Sequence, residues 1–293
     1  VGPGGAGKTR LASVAASAVL DSMPDGVWLA ELAPVTDPGD VASAVLDALD
    51  VREAALLDRP TGSTSTAIRD AKTKLIDTLS ARCCVLVLDN CEHVIDAAAQ
   101  LADELLAQCP SLRIVTTSRE PLGIVGETLV VVPPLAQPAV GADAVEALAH
   151  PAVRLFADRA AAVNPEFTVG DNNVGAVVEI VRRLDGLPLA IELAAARLRS
   201  LPVAEIASRL SDRFRLLTGG SRTAMPRHRT LRAVVEWSWD LLPDVERLLA
   251  ERLAVFAGTF SAEDAQAVCA DSQLAGADAD GLVAPLVHKS LLH

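Results

Sequence analysis

Apolar positions along this chain follow two different periods, and the change between them divides it. In the first half, short continuous apolar runs alternate with stretches whose apolar residues recur every three or four positions. Cys83-Cys84-Val85-Leu86-Val87-Leu88 is the clearest run, and Asp89 closes it. A strand buried on one face alternates apolar with polar, whereas a strand buried on both faces of a parallel sheet is apolar throughout. Residues 83–89 therefore read as a central strand. Residues 27–32, 112–117 and 129–132 read as further strands, the last ended by Pro133-Pro134. Helical periodicity fills 8–20, 37–49, 65–79 and 92–108, with Asp37 as a cap and Pro38 in the first turn. Pro60, Gly62 and Ser63 mark 52–64 as a surface loop. Strands alternating with helices predict an α/β fold with right-handed crossovers.

After Pro134 only helical patterns remain. Residues 136–150 form a flexible Pro/Ala/Gly linker, and helices are expected over 152–163, 171–184, 188–199 and 203–211. Gly219-Gly220-Ser221 makes a second break. Short helices are then expected over 230–241, 244–255, 261–270 and 280–291, with no tandem repeat of fixed period.

Composition narrows the function classes. A chain of 293 residues with 51% hydrophobic content can build two or three packed domains. A net charge of −12 and a pI near 4.9 argue against this chain gripping nucleic acid by itself. Cys83, Cys84, Cys91, Cys109 and Cys269 have no zinc spacing. They read as reduced core residues of a cytoplasmic protein. No run approaches the roughly 20 apolar residues of a membrane span, so no membrane partner is expected.

The chemistry begins at the first residues. Gly2-Pro3-Gly4-Gly5-Ala6-Gly7-Lys8-Thr9 fits the phosphate-binding loop pattern of a Gly, four residues, then Gly-Lys-Ser/Thr. Glycines allow backbone N–H groups to turn inward around phosphate oxygens, and the following helix aims its positive end at the same anion. Lys8 would reach the β- and γ-phosphates of ATP, and the Thr9 hydroxyl would hold Mg²⁺. In such folds a central strand feeds this loop, so the natural protein is expected to extend upstream of Val1. Asp89 is read either as the acid that holds the Mg²⁺ shell or as a strand-terminal cap. The next position is Asn90, which cannot accept a proton. Glu92 is the nearest alternative base; as the first residue of a helix it is equally read as a solvated acid. Arg119, in Thr116-Thr117-Ser118-Arg119-Glu120, is read as a γ-phosphate sensor or as an ordinary surface arginine. Gly186-Leu187-Pro188-Leu189-Ala190 opens a helix with Pro in its first turn.

Five blocks occur in order: the phosphate loop running into Arg10-Leu11-Ala12, then VLVLDNCEHV, TTSREPLGIVGE, LDGLPLAIELAAARL and RHRTLRAVVEWSWDLL. Together they resemble the AP-ATPase or NB-ARC-like branch of the signal-transduction ATPases with numerous domains (STAND). The closest likeness is to large actinobacterial regulators of the antibiotic-regulatory and LuxR-linked types. The resemblance covers nearly the whole chain. It implies an α/β P-loop NTPase domain with a parallel sheet over 1–135 and a linker over 136–150. An all-α helical domain over 151–219 and a C-terminally truncated winged-helix domain over 220–293 would follow. It implies that Gly2, Gly4, Gly5, Ala6, Gly7, Lys8, Thr9 and Arg10 surround the nucleotide. Arg119 would act as the sensor, and Gly186 and Pro188 would pack over the nucleotide from the helical domain. His288 stands where the family usually has an acid.

The expected function is a nucleotide-dependent molecular switch with slow ATP hydrolysis. ADP would hold the parts closed. ATP with Mg²⁺ would open them and permit self-association, and DNA would be met only through a flanking domain. A housekeeping or motor-type ATPase of the broader additional-strand class, with fast turnover, is the alternative. A scaffold that has lost nucleotide binding is disfavoured by the intact Gly7-Lys8-Thr9 and Asp89. A GTPase is disfavoured because no Asn/Thr-Lys-x-Asp guanine-reading motif follows the strands.

Overall fold

Strands β1 (Val27–Glu31), β2 (Val85–Asp89) and β3 (Arg113–Thr116) pair in parallel, in that order, with β2 between its two neighbours. The register sets Val85 beside Val27 and Arg113, and Leu88 beside Ala30 and Thr116. The computed structural model describes residues 1–49, 64–210, 239, 242–256, 259–269, 283–284, 286–287 and 292. The chain divides into two units, Val1 with Lys8–Val131 and Gly2–Gly7 with Val132–His293.

Every residue of β2 is buried, and the two core clusters of the first unit show why it lacks alternation. Val85 and Val87 pack with Ala12 and Ala16 of α1 (Lys8–Ala18) on one face. Cys84, Leu86 and Leu88 pack on the other face. Their partners there come from α2 (Val41–Ala48), α3 (Thr64–Leu79) and α4 (Ile95–Gln108). Apolar side chains are thus required on both sides of the pleat. Helix α1 covers only the middle of its face, so Leu29 and Val115 on the flanking strands remain 41% and 39% exposed. Asp37 caps as its sequence predicts: its Oδ1 accepts from Gly39 N at 2.8 Å, starting a 3-10 turn at Pro38–Asp40 that leads into α2.

Two expectations for this unit are corrected. Residues 129–132 form no strand, because they have no ladder partner among the described residues; Val130 O accepts a bond from Val1 N at 2.8 Å. The helix expected from 92 begins at Ile95, and Glu92 lies in the turn between β2 and α4.

In the second unit the stretch 136–150, expected to be a flexible linker, contains helix α5 (Ala144–Ala149). Asp143 caps it by accepting from Glu146 N at 2.8 Å, and Ala142 and Ala147 join the helical core. Small apolar residues on a helical period explain the order: they let α5 bury a face against its neighbours. That core is shared with α6 (Pro151–Val163), α7 (Val174–Arg183), α8 (Pro188–Ala196) and α9 (Val203–Arg209). Phe156 is fully buried at its centre and meets Phe167 edge-on at 6.0 Å. Helix α8 carries one charge, Glu192, which pairs with Arg159 of α6 at 2.9 Å. A smaller cluster gathers Leu249 and Leu253 of α10 (Asp244–Leu253) with Ala265 and Cys269 of α11 (Ala262–Cys269). Most of 230–241 and 280–291 lies outside the described residues, as does His288.

Asp185 and Gly186 both adopt left-handed backbone, at φ 54° and 65°. Gly186 O accepts from Leu135 N at 2.9 Å, and a Cβ on Gly186 would lie 2.2 Å from Leu135 O. Both the close approach and the left-handed φ require glycine there. Gly186→Ala should therefore destabilise the protein by about 2 kcal/mol or more even without ligand, measured by urea unfolding. A loss below about 0.5 kcal/mol would show that the Leu135 contact is dispensable.

Candidate functional site

The buried polar and charged residues among those described are Asp89, Asn90, Thr117, Ser118 and Arg119. All five lie at or just beyond the C-terminal ends of β2 and β3. Burial of polar groups costs free energy unless they are hydrogen-bonded, so such a concentration at one place marks a built site. The carboxyl ends of parallel strands are also where open α/β sheets bind ligands.

Asp89 is the centre of the cluster. Its Oδ1 accepts from Thr9 Oγ1 at 2.7 Å and from Thr117 Oγ1 at 2.6 Å. Thr9 belongs to the first turn of α1, so one carboxylate oxygen joins the start of α1 to the ends of β2 and β3. Thr117 Oγ1 in turn accepts from Asn90 N at 2.9 Å, and Thr117 O accepts from Cys91 N at 2.9 Å. Asn90 takes a left-handed conformation, φ 65°, which asparagine tolerates better than most residues. Its side chain faces His93, with Nδ2 at 3.2 Å from Nδ1. His93 Nε2 lies 3.0 Å from Leu32 O and 2.9 Å from Val35 O. Carbonyls only accept, so Nε2 carries the proton and Nδ1 accepts from Asn90. Thr117 and His93 are the participants that motif reading overlooked. The available signal was a threonine in register just beyond the end of β3, beside the strand closed by Asp89.

Four charges meet here. Arg119 Nε lies 3.4 Å from Glu92 Oε1, and the two side chains are only 8% and 6% exposed. This corrects two readings: Glu92 is not a solvated acid, and Arg119 is not a surface arginine. Both leave solvent because the β2–α4 turn and the segment after β3 are stitched together by the Thr117 bonds. Glu92 Oε2 is buried and has no hydrogen-bond partner among the described residues. Burial lowers the pKa of Arg119, while Glu92 opposes that shift by charge and hydrogen bonding. Burial likewise pushes Lys8 down to about 8; Glu92 and Asp89 favour its charged form, and Arg119 opposes it. Burial raises the thiol of Cys91, which makes it a core residue rather than a nucleophile. Arg10 is exposed in the first turn of α1.

The glycine-rich loop immediately precedes Lys8. Gly5 and Gly7 adopt φ of 81° and 94°, conformations that disfavour any side chain. Gly2 is held by proximity, since a Cβ there would lie 2.5 Å from Val132 O. Ala6 N donates to Pro3 O at 3.3 Å across the turn that contains Gly4. Gly5 O accepts from Leu189 N at 3.2 Å. Pro188 is the first residue of α8, so the loop meets that helix at its first turn. Sequence-predicted residues therefore converge in two groups. Lys8, Thr9, Asp89, Glu92 and Arg119 form one within the first unit. Gly5 and the residues beside Pro188 form the other within the second, whereas Gly186 is engaged with Leu135.

Among the described residues no helix is long and apolar enough to cross a membrane, and no cluster of three His, Cys, Asp or Glu side chains could hold a metal. No protein-family model matches the chain. A Mycobacterium tuberculosis protein provisionally named HTH-type transcriptional regulator Rv0890c is 45% identical over 291 residues, 99% of this chain and 30% of that protein. Its Mycobacterium bovis counterpart, Mb0914c, matches equally. This chain thus spans less than a third of those regulators. Uncharacterized protein Rv0894 of Mycobacterium tuberculosis is 41% identical over 292 residues, 99% of this chain and 68% of that protein. At that identity and coverage, the chain belongs to the same family as Rv0894.

Proposed function

We propose that this chain is the ATP- and ADP-binding switch core of a multidomain transcriptional regulator, built on a P-loop NTPase domain. The observation that carries the reading is the convergence of Thr9, Asp89 and Thr117 on one carboxylate oxygen, directly after a glycine-rich loop and Lys8. Thr9 and Asp89 are separated by 80 positions in sequence, yet they meet at 2.7 Å. A threonine hydroxyl beside a carboxylate is the hard-oxygen donor set that Mg²⁺ takes, so Thr9 and Asp89 would hold that ion. When bound, Mg²⁺ neutralises charge on the phosphates. The regulator role draws on the provisional name of the relatives that are 45% identical.

Within this reading each side chain has a physical task. Backbone N–H groups of Gly5 and Gly7 would turn toward phosphate oxygens, helped by the N-terminal end of α1, while Ala6 N closes the loop turn on Pro3 O. Lys8 supplies a desolvated ammonium to the β- and γ-phosphates. Arg119 offers its guanidinium to the γ-phosphate. Asn90 cannot accept a proton, and Glu92 is engaged with Arg119, so water activation is weak and hydrolysis is slow. Slow hydrolysis suits a switch, whose state must outlast a single turnover. Opening and self-association with ATP, the helical and winged-helix assignments, and DNA contact through a flanking domain belong to the same proposal.

Lys8→Ala should abolish binding of both ADP and ATP, as read by isothermal titration, because it removes charge-assisted contacts of roughly 1.5–3 kcal/mol each. Unchanged affinity would reject the loop assignment. Arg119→Ala should weaken ATP more than ADP, since only the γ-phosphate is assigned to it. Equal losses would make Arg119 a general phosphate contact.

Stability should move against function at Lys8. Its folded pKa of about 8 lies below the ordinary 10.5, so between these values the unfolded chain binds more protons. Stability therefore rises with pH across that window, and the cost of the buried charge is complete below it. Lys8→Met should stabilise the ligand-free protein at pH 7, on the order of 1–2 kcal/mol by urea unfolding, with a smaller gain at pH 9.5. A less stable variant at pH 7 would show that the Lys8 ammonium supports the fold.

A further inference from the structure

The buried Glu92–Arg119 pair is not needed to explain nucleotide binding, yet it occupies the guanidinium assigned to the γ-phosphate. We propose that Glu92 is a latch on Arg119: it holds the guanidinium in the empty and ADP states, and only a γ-phosphate draws Arg119 away. The inference rests on the nucleotide-binding reading and adds to it the source of discrimination between ATP and ADP.

Three observations support the latch. First, both side chains are removed from water, at 8% and 6% exposure, so the pair is not a screened surface contact. A buried ion pair stabilises little over an apolar pair, but breaking it without replacement is costly. Any anion that takes Arg119 must itself supply that replacement. Second, the pair is held by fixed backbone. Glu92 follows Cys91, whose N donates to Thr117 O at 2.9 Å, and Arg119 lies two residues beyond Thr117. The carboxylate therefore cannot follow the guanidinium far. Third, Glu92 satisfies its buried carboxylate only in part. Oε1 lies 3.4 Å from Arg119 Nε, and Oε2 has no hydrogen-bond partner among the described residues. A pair of this quality can be broken by a competitor with better geometry, and phosphate oxygens accept paired bonds from a guanidinium fork.

Charge explains why the competitor must be the third phosphate. Glu92, Asp89, Lys8 and Arg119 bring two negative and two positive side chains together. ADP engages Lys8 and leaves the Glu92–Arg119 pair intact. ATP adds a further anion beside Glu92, and in a desolvated space two anions compete for one guanidinium. The sensor is thus biased toward the ADP state until ATP binds.

The test is titration of the full chain with ATP·Mg²⁺ and ADP·Mg²⁺, for the unsubstituted protein, Glu92→Gln and Glu92→Asp. Glu92→Gln should raise the ratio of ATP to ADP affinity about tenfold, the equivalent of one charge-assisted hydrogen bond. Glu92→Asp keeps the charge but withdraws it by one methylene, so it folds more safely and should give an intermediate ratio. An unchanged ratio in both variants overturns the latch. The ¹⁵Nε resonance of Arg119, assigned by its loss in Arg119→Lys, separates release from simple repulsion. Glu92→Gln should shift it with ADP but not with a non-hydrolysable ATP analogue. A shift of equal size in both states overturns the latch even if ATP affinity rises. Failure of the unsubstituted protein to bind either nucleotide would instead overturn the nucleotide-binding reading, and the latch with it.

Discussion

One carboxylate oxygen organises the first unit. Asp89 Oδ1 receives two short hydroxyl bonds, from the start of α1 and from the residue after β3. A buried carboxylate is costly without partners, so Thr9 and Thr117 are held where they are by the charge they satisfy. The backbone follows. Thr117 also accepts from Asn90 N, which holds Asn90 in its left-handed conformation and turns the chain toward His93. That turn carries Glu92 inward rather than into α4. The Asp89 contacts add side-chain bonds to the backbone bonds, Cys91 N to Thr117 O and Thr117 N to Leu88 O, that already join the ends of β2 and β3, and they tie the start of α1 to both.

The same site concentrates opposing electrostatic demands. Lys8 and Arg119 both have their charged forms disfavoured by burial, and both are supported by Glu92. An acid placed there favours the charged forms of two cations that burial disfavours. Under the proposed nucleotide-binding role, an incoming phosphate would compete with this resident carboxylate for the two cations. A surface cluster of the same residues would be screened by solvent and salt.

In the second unit, packing of small residues does what hydrogen bonding does in the first. Ala190, Ala194 and Ala195 of α8 are buried with Phe156 of α6, and the alanines allow close approach to the large ring. The abundance of alanine and scarcity of aromatics therefore reflect closely packed helices. Left-handed backbone at Asp185 and Gly186 ends α7 and redirects the chain so that α8 starts at Pro188.

Local signals determined much of this protein. Continuous apolarity over 85–88 marked a strand covered on both faces, and helical periods placed α1, α2, α4 and α6–α9 within a few residues. The Lys8-Thr9 end of the glycine-rich pattern and the terminal Asp89 singled out residues that the fold brings together, because they sit at helix and strand ends whose positions follow from pattern. What depends on distant partners could not be read. Residues 129–132 have strand composition but pair with no described strand, since a ladder requires a second backbone. The stretch 136–150 reads as a linker, yet it contributes a capped helix to a core whose other walls lie up to 60 residues later. Glu92 and Arg119 each had a solvated reading, because burial belongs to the packed chain rather than to the residue. Only tertiary structure decided that the two are buried together, because bonds between two loops, among them Cys91 N to Thr117 O and Asn90 N to Thr117 Oγ1, bring positions 27 residues apart into one desolvated pair.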